Sequence, residues 1–177
     1  MKSHLLLTVG VLFLSLCLTF GMMAQADEWA ATLTAISSNN AVPARSLTFK
    51  TVDGATGGYD SGSDGSAPPL TSVPIRLDVY FPVSGNAFIT RLVTDAKAPA
   101  DSVSWTFKLR ADFDGGTLSW DVSAIPLDRK ATLTLPDSST VNMKTTAPIA
   151  YAVVNGSYQT YTVEVVGDQK PTGLSPT

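Results

Sequence analysis

The chain has 177 residues, with 12 basic against 15 acidic side chains and a net charge of −3. That length supports one domain burying roughly two-thirds of its unfolded surface. The acidic balance leaves no basic stripe to hold a phosphate backbone, which argues against nucleic acid as a partner.

Met1 to His4 form a short basic segment, Leu5 to Phe20 an almost uninterrupted apolar run, and Ala24-Gln25-Ala26 a small-x-small site. This order predicts a signal peptide over residues 1–26, too short and too close to its cleavage site to serve as a spanning helix. The alternative is lipid attachment at Cys17, although that chemistry wants a small residue where Leu16 stands. Export places the product outside the cell or on its surface, the periplasm included.

Cleavage after Ala26 also removes the single histidine (His4), the single cysteine (Cys17) and Lys2, leaving 11 basic against 15 acidic residues. Without histidine or cysteine there is no disulfide, no Ser-His-Asp or Cys-His arrangement and no zinc site built on those ligands. A two-carboxylate glycosidase needs no histidine, but glutamate is confined to Glu28 and Glu164. Asp112, Asp114 and Asp121 read as solvated charges, and no glycine-rich phosphate loop follows a strand and opens a helix. The expectation is a protein that is not an enzyme.

From Trp29 onward the apolar residues follow a period of two. Runs at Trp29–Ile36, Arg45–Val52 and Ile75–Phe81 come first, then Phe88–Thr94. Val103, Trp105, Phe107 and Leu109 alternate with polar neighbours, as do Leu118, Trp120 and Val122, which sets both tryptophans on core faces. Ala131–Leu135, Thr140–Thr145, Ile149–Val154 and Gln159–Val166 complete about ten candidate strands. Asp114-Gly115-Gly116, Asp137-Ser138-Ser139 and Asn155-Gly156 read as hairpin turns. One apolar face per strand needs a second sheet to cover it, so the predicted fold is all-β: a two-sheet antiparallel sandwich, immunoglobulin-like or jelly-roll-like, over residues 27–168. Gln169 to Thr177 reads as a flexible tail.

Asp53 to Pro74 interrupts this pattern with glycine, serine, aspartate and proline. Asp53, Asp60 and Asp64 supply the hard oxygen ligands that calcium takes, which makes them the metal candidates. An EF-hand register from Asp60 fails, with Gly62 at its third position and Thr71 at its twelfth. A solvated loop closed by Asx-turns is the plainer reading. For a surface role in ligand binding the aromatic candidates are Tyr59, Tyr80 and Tyr158, Tyr80 on the polar side of its strand.

Leu47-Thr48-Phe49, then Gly57-Gly58-Tyr59-Asp60 and Ala67-Pro68-Pro69, resemble the opening of a β-sandwich module recurrent in secreted prokaryotic surface proteins. Thr117-Leu118-Ser119-Trp120-Asp121, Leu133-Thr134-Leu135, Val141-Asn142-Met143 and Tyr161-Thr162-Val163 are similar to its second half. The resemblance spans Trp29 to Val166 and implies an extracellular accessory or adhesion role. The expected function is therefore a structural, adhesion or assembly role at the cell surface, with an extracellular protein or polysaccharide as partner. The alternative is carbohydrate- or calcium-dependent recognition, with calcium as the cofactor in that case.

Overall fold

A computed structural model describes residues 28–69, 77–146, 148–153 and 157–167. The expected signal peptide, the 169–177 tail, Ile75 and the Asn155-Gly156 turn lie outside the described residues. Within them every regular element is a strand: β1 (Trp29–Ser37), β2 (Arg45–Thr51), β3 (Gly65–Ser66), β4 (Asp78–Pro82), β5 (Arg91–Lys97) and β6 (Ser102–Arg110). The remainder are β7 (Gly116–Asp121), β8 (Arg129–Thr134), β9 (Thr140–Asn142), β10 (Ile149–Tyr151) and β11 (Gln159–Gly167). No helix among the described residues is long and apolar enough to cross a membrane.

The strands form one continuous curled sheet in the order β10-β7-β1-β2-β5-β4-β6-β11-β8-β9, with β3 beside β5. Two features depart from the expected antiparallel sandwich. First, β2 and β5 run parallel, Thr48 opposite Thr94 and Thr51 opposite Lys97. Second, hydrogen bonding never breaks between the two halves, because β4 belongs to both. Its first residues, Asp78 to Tyr80, pair with β6, whereas Phe81 and Pro82 pair with β5. A short strand shared in this way bends the sheet back over its own apolar face, as at a barrel corner.

The period-two pattern explains what fills the curl. Leu33, Leu47, Phe49, Phe81, Trp105, Phe107, Leu109, Leu118, Leu133 and Val163 are all buried completely or nearly so. Trp29 of β1 and Phe49 of β2 meet Trp105 of β6 across the core, at centroid distances of 5.6 and 5.3 Å. Trp105 donates its indole N–H to the Asp95 carbonyl at 3.1 Å, whereas the indole N–H of Trp29 is buried without a hydrogen-bond partner. Trp120 sits at the core rim and donates to the Met143 carbonyl at 2.7 Å.

The turn chemistry held at one of its two described sites. Asp137-Ser138-Ser139 closes the β8–β9 hairpin: Leu135 N–H bonds the Ser139 carbonyl, Ser138 takes φ 68°, and Asp137 accepts from the Ser139 amide. Asp114-Gly115-Gly116 does not join a hairpin, since β6 pairs with β4 and β11 while β7 pairs with β1 and β10. It is a crossover, docked on the end of β1 by Ser38 N–H to the Gly115 carbonyl and by Asn39 to Asp114. Gly116 is required there, because a Cβ would fall 2.0 Å from the Ile36 carbonyl oxygen and 2.5 Å from the Tyr151 hydroxyl.

Two strand boundaries moved where an asparagine side chain offered the backbone a competing bond. Asn86 accepts from the amides of Phe88 and Ile89, so the strand expected from Phe88 begins at Arg91. Asn142 ends β9 by accepting from Lys144 through its side chain and from Thr146 through its carbonyl.

Candidate functional site

The corner strand β4 turns Val79 and Phe81 to the core and Asp78, Tyr80 and Pro82 to the opposite face, where Asp78 is nonetheless buried under its partners. In the β4–β6 register Asp78 lies opposite Arg110 and Tyr80 opposite Lys108, which puts four functional side chains on one outer face. Arg91 arrives opposite Pro82 from β5, and Tyr158 from just before β11.

These groups close into a cluster. Tyr80 and Tyr158 meet edge to face with centroids 5.4 Å apart. The Arg91 guanidinium lies 4.1 Å over Tyr80, and that of Arg110 lies 5.8 Å from the Tyr158 centroid. Arg91 pairs with Asp78, which also accepts the Tyr158 hydroxyl at 2.8 Å. Arg110 forms a two-point pair with Asp112, at 2.7 and 2.8 Å. Burial raises the Tyr158 phenol well above its ordinary value, and its bond to Asp78 adds to the effect; burial raises Tyr80 too, against the pull of Arg91. Both phenols therefore stay neutral donors at physiological pH. The Arg91 Nε is buried without a hydrogen-bond partner.

Two of the three tyrosines singled out in the sequence are thus brought together. Tyr59 is placed apart, partly buried against the core, where its ring extends the packing rather than the cluster. Arg91, Arg110, Asp78 and Asp112 were missed. The available signal was the period-two phase, which puts Asp78 and Tyr80 on the same face.

The acidic loop is built differently. Asp60 accepts from the Thr56 amide at 2.6 Å and from its hydroxyl, while Asp64 accepts from the Asp60 amide at 2.8 Å and the Ala96 amide at 2.7 Å. Asp60 and Asp64 therefore come together and stitch the loop to β5. Asp53 joins neither set, and its amide bonds Glu28 instead. Next to the pair lies Asp95, buried and pushed up to about 6 by desolvation, with Lys97 opposing and Asp64 and Asp60 adding to the rise. No group of three or more metal-ligating side chains poised for an ion is found among the described residues.

A third feature lies beside β3. An open groove of about 430 Å³ runs between Ser66–Pro69 and Phe88–Arg91. The Phe88 ring at its rim is 96% exposed. Strand edges offer less: β9 and β10, the two ends of the sheet, have three residues each. Edges that short blunt strand addition.

Comparison with protein-family models, with curated proteins and with solved structures returns no match.

Proposed function

We propose that the chain is a secreted, non-catalytic β-module with a structural, adhesion or assembly role at the cell surface, making contact through loops and outer faces rather than strand edges. Its two wings, packed on each other through Trp29, Phe49 and Trp105, serve as the halves of a sandwich-like scaffold. The observation that carries this reading is Phe88, almost wholly exposed beside a groove walled by Pro68, Pro69 and Ile89. An aromatic ring left in water beside further apolar side chains is surface that a partner would cover favourably. The stretches resembling secreted surface modules, Gly57–Asp60 and Ser119–Asp121, support the same placement.

Phe88→Ser in the chain from residue 27 onward tests it. Sedimentation velocity over a concentration series, with retention on envelope fractions of the producing cell, should show the wild type associating and the variant released. Equal behaviour of the two proteins would remove this surface from the function.

A second reading, carbohydrate recognition, is favoured by one specific observation: Tyr80 and Tyr158 converge with two guanidinium–carboxylate pairs on an outer face. Aromatic rings take the C–H face of a sugar, and planar polar groups take its hydroxyls. Calcium dependence belongs to this reading only through Asp60 and Asp64. A thermal shift with calcium that disappears in Asp64→Ala would establish it, and no shift would remove it.

A further inference from the structure

Beyond residue 26 the sequence holds no cysteine, so no disulfide can tie distant strands of this scaffold together. Tyrosine is the remaining side chain that oxidation joins to its own kind. Of the five tyrosines, Tyr80 and Tyr158 alone form a tyrosine–tyrosine ring pair, edge to face with centroids 5.4 Å apart. That separation is in the lower half of the roughly 4.5–7 Å over which aromatic rings make contact. Both rings are half-buried on the outer face, within reach of a reagent in solution. Tyr151 and Tyr161 are buried, and Tyr59 packs against the core.

The two phenols are not equivalent. The Tyr158 hydroxyl donates to Asp78 at 2.8 Å, so a carboxylate stands ready to take the phenolic proton as an electron leaves the ring. The Arg91 guanidinium, 4.1 Å over Tyr80, disfavours positive charge on that ring, whereas Arg110 stands farther from Tyr158, at 5.8 Å. Tyr158 is therefore the easier of the two to oxidise. Turning a ring about its Cβ–Cγ bond presents an ortho carbon to the neighbouring ring. The Tyr158 oxygen lies on that axis, so its contact with Asp78 is kept.

We propose that Tyr80 and Tyr158 are a cross-linking site, at which a peroxidase with hydrogen peroxide as oxidant braces β4 to the segment before β11 through a carbon–carbon bond between the two rings. Each phenol gives up one electron and one proton, and the two phenoxyl radicals couple at their ortho carbons. The hydrogens on those carbons then pass to the oxygens and restore both phenols. The two electrons and two protons released reduce one hydrogen peroxide to two waters. The bond closes the whole span from residue 80 to residue 158, a constraint on the unfolded chain like that of a long-loop disulfide. The inference depends on neither reading of function above.

The test treats the chain from residue 27 onward, dilute enough to stay monomeric, with a haem peroxidase and hydrogen peroxide. The wild type should lose the mass of two hydrogen atoms, gain biphenol fluorescence, and yield a proteolytic fragment that joins the Tyr80 and Tyr158 peptides. Its melting temperature should rise by about 10 °C. Tyr80→Phe and Tyr158→Phe should each abolish the joined fragment, and Tyr59→Phe should keep it. A melting transition in each untreated variant confirms that it folds. A fragment joined through any other tyrosines, coupling only between chains, or no coupling while free tyrosine in the same mixture couples would overturn the inference. A joined chain with an unchanged melting temperature would overturn its role as a brace.

Discussion

Asp95→Asn should stabilise this protein above neutral pH and leave it unchanged in acid. The Asp95 carboxyl is buried beside Asp60 and Asp64, and its folded-state value is about 6 against an ordinary 3.8. A carboxyl raised on folding costs nothing below about pH 4, where both states are protonated. The cost grows as pH rises through the interval to about 6 and is complete above it. Taken at 1.36 kcal/mol per unit, the difference between the two values sets a ceiling of about 3 kcal/mol. Water that still reaches the carboxyl reduces this to about 1–1.5 kcal/mol. For a chain of this size that corresponds to a rise of roughly 3–5 °C in melting temperature. Thermal unfolding of wild type and variant in parallel at pH 4.0, 5.0, 6.0 and 7.5 isolates the effect. Groups such as Asp121 and Asp137, held low by hydrogen bonds from Ser123 and Ser139, contribute equally to both proteins. A difference that is constant with pH, or a variant less stable at pH 7.5, would refute the reasoning.

Gly116→Ala forces a methyl group into the Ile36 carbonyl and the Tyr151 hydroxyl. It should cost at least about 3 kcal/mol in urea unfolding, among the larger effects of single substitutions. Trp105→Ala removes the ring that meets Trp29 and Phe49 and should cost about 3–5 kcal/mol in the same assay. Asp64→Ala strands the amides of Asp60 and Ala96. A loss of about 1–3 kcal/mol is expected, with faster amide exchange confined to residues 56–66 and the end of β5. Ser138→Gly relieves a left-handed backbone at φ 68° and should gain about 0.5 kcal/mol, less than the full strain because glycine also frees the unfolded chain.

Much of this molecule is local and therefore legible. Alternation at Val103–Leu109 placed Trp105 and Phe107 in the core, because side chains on a strand can point only two ways. The same rule put Tyr80 outward, and the Asp137 turn followed from an aspartate whose side chain accepts the amide two residues on. Strand ends were less legible, since Asn86 and Asn142 capture amides that the ladder would otherwise use. The site was half legible. Tyr80 could be assigned to a surface, but its partnership with Tyr158 joins residues 78 positions apart.

By itself, then, the sequence determined that the chain is all-β, the inward and outward face of most strands, and a chemistry restricted to carboxylates, phenols, hydroxyls and cations beyond residue 26. The tertiary structure decided which strands are neighbours. It made β2 and β5 parallel, turned the Asp114–Gly116 crossover away from a hairpin, and bent β4 so that one continuous sheet covers its own core. Alternation encodes the direction of a side chain and carries no information about which edge a strand will pair with. That choice is made by non-local contacts, Trp29 and Phe49 on Trp105 above all, whose energy is gained only after the intervening chain has been folded back on itself.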